Sequence, residues 1–581
     1  MACCESRALL IQGERRPLSP RGKSTCVYPR KKISLFEEIL VKKERCVVSS
    51  FGLGILLLAS TEAAAAPRGP DFDNDGFDDL LIGVPFESVS TQTDAGSVNV
   101  LYGGSSGIEA TLANVKILHQ NITNAEDAAE GYDYFGLAVA WGDFDGDCFD
   151  DIAVGVPGED LGNPVVASAG MVQVFYGSAT GPSTSNDELW HRGVANIDGD
   201  LDTLESFGDA VAVGDFNGDG FDDLVAGVPD ADIGAELNAG AVHVIYGSAF
   251  GLSATATRAD QSIDQSWLGV GGDPVNNERF GSSLATGDFD CDGFEDLAVG
   301  ASFQTVSGVS SAGTVTVIYG TANGLDPAFS TQVWSQNSTG VLDFAEGGDL
   351  FGTTLTAGNF NGDSSASGPC MDLAIYARED DVGGAVHILY GTSGSGLQAS
   401  SPDDDQWHQN SGTILDTSEA GDNFGVAMVV GRFNSDGFDD LAIGVPGEDV
   451  GTGAVAIVLG SASGLVTTDN VRWTQDTSLV GEAREQLDYF GDALAYGARF
   501  NNDSLGDLAV GVPGETYTVN NTTFNDAGIV QVIYTATTVS PPVIGATSHD
   551  WKQAHISGES NEDNDNFGYV LARSREKPFC D

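Results

Sequence analysis

The sequence predicts an all-β protein, a seven-bladed β-propeller whose ring closes by pairing its N-terminal strands with the C-terminal strand. Three observations predict it. A unit of about 72 residues is written seven times. Every apolar run inside that unit has the length and alternation of a strand. The first and last units are complementary pieces of one blade.

Taken in chain order, each unit opens with Phe-Gly (Phe135-Gly136, Phe207-Gly208, Phe280-Gly281, Phe351-Gly352, Phe424-Gly425, Phe490-Gly491 and Phe567-Gly568) at the head of a first strand. About eight residues later comes an aspartate-rich stretch: "DFDNDGFDD" at 71 to 79, "DFDGDCFDD" at 143 to 151, "DFNGDGFDD" at 215 to 223 and "DFDCDGFED" at 288 to 296. Weaker copies start at Asn359, Arg432 and Arg499. A short apolar run closing in Gly-Val-Pro or a variant follows and reads as a second strand. A third strand alternates and ends in Tyr-Gly, as in "GSVNVLYG", and leads into a turn of the type "GSATG". A fourth strand is expected around Trp190, Trp267, Trp334, Trp407, Trp473 or Trp551, with Leu118 in the Trp place of the first unit. No ten-residue helical stripe competes with this reading. Four strands per unit and seven units give a propeller, in which radial repetition leaves only short protected edges. The first unit has an aspartate loop but no Phe-Gly strand ahead of it, whereas the chain ends with "FGYVLAR" and no loop behind it. Joined, the two make one blade.

Charge divides the chain. The first 66 residues hold 11 of the 25 Lys+Arg but 6 of the 85 Asp+Glu, so the rest carries 14 basic against 79 acidic residues. Such a body repels nucleic acid and anionic lipid and prefers cations, basic partners or neutral sugars. Four of eight cysteines also lie in the first 66 residues, leaving Cys148, Cys291, Cys370 and Cys580. Without any Cys-x-x-Cys they suggest neither a zinc site nor a disulfide framework, although one bridge from Cys291 to Cys370 is conceivable. The stretch "VKKERCVVSSFGLGILLLASTEAAAAP" has secretory-signal order, and its apolar run is short for a span of roughly 20 residues. Residues 1–66 are thus expected to be an N-terminal extension with a signal peptide, 67–572 the propeller and 573–581 a C-terminal tail. No membrane span is expected in the mature chain, and secretion or display at the cell surface follows.

The aspartate loops are the candidate metal sites. Side-chain oxygens at positions 1, 3, 5 and 9 and a carbonyl at position 7 suit a hard cation taking six to eight oxygens at about 2.3–2.6 Å. The expected ligands are Asp71, Asp73, Asp75, Phe77 and Asp79 in loop 1; Asp143, Asp145, Asp147, Phe149 and Asp151 in loop 2; Asp215, Asn217, Asp219, Phe221 and Asp223 in loop 3; and Asp288, Asp290, Asp292, Phe294 and Asp296 in loop 4, each Phe through its carbonyl. Calcium is the expected ion, at about four sites, because magnesium resists this much dehydration and no His or Cys invites zinc. Loop 2 has Cys148 where glycine belongs and is expected to be strained or weaker. Loop 5 opens with Asn359 and carries the insertion "SSASGPCM"; loops 6 and 7 open with Arg432 and Arg499, cations where the ion would sit. These three are expected to be empty.

Phe-Gly, then Asp-x-Asp-x-Asp-Gly-x-x-Asp, then Gly-Val-Pro in fixed order resembles the FG-GAP repeat of the integrin α-subunit N-terminal propeller, over about residues 70 to 572. The resemblance implies a seven-bladed fold, calcium in the loops of one face and a role in extracellular adhesion or protein or glycan binding. It does not imply an integrin: the sequence shows no C-terminal membrane helix, no leg-like sandwiches and no inserted adhesion domain.

An enzyme needs a constellation, and the sequence offers little. "GGSSG" at 103 to 107 fits Gly-x-Ser-x-Gly but occupies the turn that elsewhere reads "GSATG" or "GTANG", and no helix follows it. The seven histidines are spread over the outer strands (His119, His191, His408), the Tyr-Gly strands (His243, His387) and His549 and His555, with no nucleophile paired to any. A non-enzymatic binding protein is therefore expected, with Phe86, Tyr132, Tyr134 and Tyr489 on the face opposite the aspartate loops as candidate contacts. The alternatives are a hydrolase using loops around the central well, or a structural cell-surface protein.

Overall fold

The computed structural model describes residues 67–577, apart from 109–114, 255–259, 268–271, 327–330, 380–382, 401–403, 536–543, 557–561 and a few isolated positions. The expected signal segment, within residues 1–66, lies outside them. Seven antiparallel sheets of at least four strands follow one another, each built in sequence order except at the ring closure in blade 1 and around the added strands of blades 5 and 7. Blade 2 is typical: Ala138–Gly142, Asp151–Val156, Met171–Phe175 and Glu188–Trp190, from the inside outward. The second strands are buried along their whole length, for example Leu80–Val84 and Asp440–Val445, which is why they read as unbroken apolar runs rather than alternating ones. Blade 5 adds the short strand Gly396–Gln398, and blade 7 adds the hairpin Tyr517–Val519 with Thr522–Phe524.

The ring closes as the split unit predicts. Val570–Leu571 pairs antiparallel with Leu80–Val84, setting Val570 opposite Gly83 and Leu571 opposite Ile82. The closed sheet therefore runs Val570–Leu571, Leu80–Val84, Ser97–Leu101, Val115–Leu118. Gln553 of blade 7 seals the same seam by donating to Glu87 of blade 1 at 2.6 Å, as Gln120 does to Glu159 at 2.5 Å between blades 1 and 2.

The motifs of the repeat turn out to be blade-to-blade contacts. The N–H of the Phe-Gly glycine donates to the Gly-Val-Pro glycine of its own blade, as Gly208 does to Gly227 at 2.9 Å. Its carbonyl lies so close to the preceding blade that a Cβ on Gly155 would stand 2.0 Å from the oxygen of Gly208. Tyr-Gly works at the outer rim: the Tyr176 hydroxyl accepts the N–H of Leu252 in the next blade at 2.9 Å and packs on Gly251, which closes the next "GSAFG" turn with φ 88°.

Two expectations need correcting. Trp267 is not on a fourth strand; in blade 3 that strand is Gln261–Ile263, and Trp267 lies beyond it, 41% exposed. Ile263 pairs with Val242 as Trp190 pairs with Val172, so Ile263 fills the Trp place and the buried slot accepts any large apolar side chain. The cysteines do more than expected: Cys291 and Cys370 form the conceivable bridge, joining loops 4 and 5, and Cys148 is disulfide-bonded as well.

Candidate metal centre

Each aspartate loop joins the first strand of a blade to the second, and four of its positions have separate tasks. The phenylalanine at position 2 is buried in every copy, from Phe72 to Phe500, and anchors the loop to the core. The aspartate at position 9 begins the second strand or, in blade 1, directly precedes it; Asp79 accepts the N–H of Phe72 at 2.8 Å on one oxygen and that of Gly103 at 2.9 Å on the other. Asp372 and Asp440 repeat both bonds in blades 5 and 6, so this carboxylate holds the loop with or without an ion. Position 1 folds the loop over itself: Asp71 accepts from Asp75 and Gly76, both at 3.0 Å. At position 5, Asp75 accepts the N–H of Phe77 at 3.0 Å.

Positions 1, 3 and 9 converge. Asp71, Asp73 and Asp79 bring one oxygen each within 4.8 Å of one another, as do Asp143, Asp145 and Asp151, and Asp288, Asp290 and Asp296. The fifth-position residues Asp75, Asp147 and Asp292 stand outside these groups and hold the turn through their bonds to Phe77, Phe149 and Phe294. In loop 3 the Asn217 side-chain amide donates to both oxygens of Asp223, at 3.3 and 3.0 Å, while Asp215 and Asp219 keep their bonds within the loop.

Burial shifts these groups toward the protonated form. Asp71 and Asp288 are both raised to about 7, chiefly by burial, with neighbouring carboxylates adding to it against the loop N–H bonds. Asp79, Asp151 and Asp296 are raised well above the ordinary carboxylate range, again by burial first. A bound cation reverses this balance, because it stabilises the charged form that burial and like charge disfavour. The donor set fits a hard divalent ion: carboxylates only, three per site, with the buried Asp73 Oδ1 and Asp290 Oδ1 lacking any hydrogen-bond partner.

Gly76 takes φ 90° at position 6, and Cys148 takes φ 74° at the same place in loop 2. A left-handed backbone is costly for a residue with a Cβ, so the strain expected of loop 2 is present although its three carboxylates are assembled. Loops 5 to 7 assemble no such group among the described residues. Asn359 Nδ2 donates to the carbonyl of Asp363 at 2.8 Å, and the loop 5 insertion reaches over to loop 4, where Ser365 Oγ donates to the carbonyl of Cys291 at 2.8 Å. Arg432 turns its Nε onto Asp439 at 2.8 Å.

Position 8 is the functional residue that sequence reasoning passed over. Its N–H donates to the carbonyl at position 1 of the preceding loop, as Asp150 does to Asp71 at 3.3 Å and Asp222 to Asp143 at 3.0 Å. Its carboxylate accepts the N–H of that same residue: Asp71 to Asp150 and Asp143 to Asp222, both at 2.8 Å. Such N–H bonds from position 8 chain the loops head to tail from loop 7 through loop 1 to loop 6 among the described residues. The recurring acid at 78, 150, 222, 295 and 439 was a visible signal, masked by its neighbour at position 9.

A fourth acidic group, Glu419, Glu448 and Asp449, lies in the loops before Phe-Gly and after Gly-Val-Pro, and is already ion-paired by Arg472 to Glu448 at 3.0 Å and by Arg484 to Asp449. Two histidines are fully buried beside carboxylates: His243 against Asp260 at 2.7 Å, and His387 near Glu379 and Asp404. On the opposite face Phe86, Tyr134 and Tyr132 form a cluster that the sequence did not foretell, with Phe86–Tyr134 and Tyr132–Tyr134 centroids 6.0 and 6.3 Å apart. Tyr569 joins them 5.2 Å from Phe86, whereas Tyr489, in the loop before Phe490, stands apart from this cluster beside Gly451 of the loop after Gly-Val-Pro.

Comparison with known proteins agrees with the repeat read from the motifs. Residues 65–101, 135–175, 207–245, 280–318 and 424–458 match the FG-GAP repeat. The chain is an FG-GAP repeat protein resembling the integrin α-subunit propeller. It is 32% identical to integrin alpha pat-2 of Caenorhabditis briggsae over 207 residues, 35% of this chain and 15% of that one. It is 34% identical to phosphatidylinositol-glycan-specific phospholipase D of Bos taurus over 156 residues, 27% of this chain and 17% of that one. The matched parts thus span under a fifth of these relatives' own length. Among solved structures, rhamnogalacturonan lyase YesW aligns with 88% of this chain and 78% of its own at 12% identity and a TM-score of 0.38, too distant to carry an argument.

Proposed function

We propose that this chain is a secreted or cell-surface, non-enzymatic binding module whose aspartate loops hold calcium at about four sites and whose opposite face recognises an extracellular protein or glycan. The observation that carries the reading is the convergence of positions 1, 3 and 9 in three loops, with a buried, unpartnered oxygen on Asp73 and on Asp290. Calcium supplies charge neutralisation: it lets buried carboxylates ionise together and stiffens the loops that chain the blades. Asp71, Asp73 and Asp79 would hold the ion in loop 1, Asp143, Asp145 and Asp151 in loop 2, and Asp288, Asp290 and Asp296 in loop 4. Loop 3 would use Asp215, Asp219 and Asp223 with Asn217, whose amide must turn its oxygen inward. The fifth-position carboxylates and the position 7 carbonyls are the groups that would complete the shells.

The binding face follows from what the loops leave over. The cluster of Phe86, Tyr132, Tyr134 and Tyr569, with Tyr132 57% exposed, sits among acidic loops and offers stacking surface in a field hostile to anions. Neutral sugars and basic or aromatic protein surfaces fit it. The test is ligand screening of the chain on glycan and extracellular-protein arrays, with and without a calcium chelator, beside Tyr132→Ala. Binding that needs both calcium and Tyr132 supports the reading; hydrolysis of a screened glycan or lipid overturns its non-enzymatic part.

A further inference from the structure

After Val570–Leu571 the chain leaves blade 1 and enters the central channel. The Arg573 guanidinium donates to the carbonyl of Leu355 in blade 5, and Ser574 Oγ donates to that of Val430 in blade 6. Trp141 of blade 2 donates its indole N–H to the carbonyl of Arg573 at 2.8 Å. Arg575–Glu576 pairs as a short antiparallel strand with Pro67–Arg68. Five residues thus touch most of the ring, beside a remaining cavity of about 570 Å³ between the inner strands.

The segment is basic where the channel is acidic. Arg575 donates to Asp222 at 3.2 Å and reaches Glu295 at 3.5 Å, and Lys577 donates to Asp222 at 2.6 Å and stands 3.8 Å from Asp150. These carboxylates are the eighth-position residues of loops 2, 3 and 4, three consecutive loops at the channel mouth, and Asp150 is also paired with Arg68 at 2.8 Å. Charge supply is scarce: residues 67–581 have 14 Lys+Arg in all, and Arg573, Arg575 and Lys577 place three of them here. In a body with 79 acidic residues this concentration marks a specific complementarity rather than a solvated end.

We propose that the acidic mouth of the channel is a receptor for a basic extended segment, and that Arg573–Lys577 of the same chain occupies it as an internal ligand that keeps the channel closed. The mouth supplies what such a ligand needs: carboxylates for the cations, inner-strand carbonyls at Leu355 and Val430 for polar side chains, and the edge of Pro67–Arg68 for its backbone. Held by ion pairs, the segment is released by salt or displaced by a competing basic peptide. This does not depend on the loops holding calcium.

The test uses the full chain. In wild type, trypsin cuts after Arg573 and Arg575 slowly at low salt; in R575E/K577E, repulsion from Asp222 and Glu295 frees the segment and cleavage after Arg573 rises about tenfold or more. A fluorescent peptide of residues 570–577 then binds the folded variant, does not bind wild type at low salt, and is weakened at about 0.5 M sodium chloride. Equal cleavage in wild type and variant, or a folded variant that takes up no peptide, overturns the proposal. Should the variant fail to fold, wild type decides: cleavage after Arg573 that rises with salt supports the ion-paired plug, and cleavage indifferent to salt overturns it.

Discussion

Arg432→Asp is the change that most sharply separates a cation loop from an acidic turn. It converts loop 6 from "RFNSDGFDD" to the pattern of loop 3, "DFNGDGFDD", at every ligand position. Arg432 at present pairs its Nε with Asp439 at 2.8 Å, and the Asp439 side chain is fully buried. Removing one partner of such a pair costs about 3–5 kcal/mol, because the other charge is left without compensation. Asp439 keeps the N–H of Asn359 at 2.9 Å, which places the cost at the lower end. The new carboxylate also faces Asp440, which burial already raises to about 8, so the ion-free variant carries further repulsion. Calcium at a hundred times its dissociation constant returns about 2.7 kcal/mol. The expected outcome is a variant less stable than wild type in chelator, with a larger calcium-induced rise in melting temperature and one more calcium per chain by elemental analysis. A folded variant with the wild-type ion count and the wild-type calcium response would refute the view that Arg432 keeps loop 6 empty.

Gly155→Ala should cost about 1–3 kcal/mol in urea unfolding, because its Cβ would meet the carbonyl of Gly208 at 2.0 Å in an already packed junction. A loss below about 0.5 kcal/mol would show that the blades shift freely at this contact. The ion-free chain should lose stability as pH rises. Asp71 and Asp288 sit near 7 when folded against 3.8 as ordinary carboxylates, so the stability their protons contribute is complete below about pH 4 and is lost as pH passes 7. For Asp71 this amounts to about 4 kcal/mol at 1.36 kcal/mol per pH unit, an upper figure since the loop can relax. Melting in chelator from pH 5 to 8 should therefore fall, and saturating calcium should flatten the fall while releasing protons; an identical slope with and without calcium speaks against ion binding at these carboxylates.

Much of the fold was legible because the motifs are the contacts. Phe-Gly, Gly-Val-Pro and Tyr-Gly each place a small or aromatic residue at a blade junction, and a junction repeated seven times leaves a periodic trace. The split first blade was legible for the same reason, since Phe567 had no loop to serve and Asp71 no strand. Trp267 misled because the junction needs a large apolar side chain at one register position, and Ile263 meets that need four residues earlier. In the loops, the carboxylates at positions 1, 3 and 9 were legible from spacing. Position 8 was not, because nothing in a single loop shows that its partner is the neighbouring loop. The course of Arg573–Lys577 left only a charge signal, three cations in an acidic body, and no periodicity.

The most direct test of the account is thermal unfolding of the purified chain in calcium and in chelator, with bound ions counted on the same sample. The account predicts about four calcium ions per chain and a melting temperature that falls on chelation, is restored by sub-millimolar to millimolar calcium and is not restored by equivalent sodium chloride. A chain that carries no ion and melts identically in both conditions would contradict it.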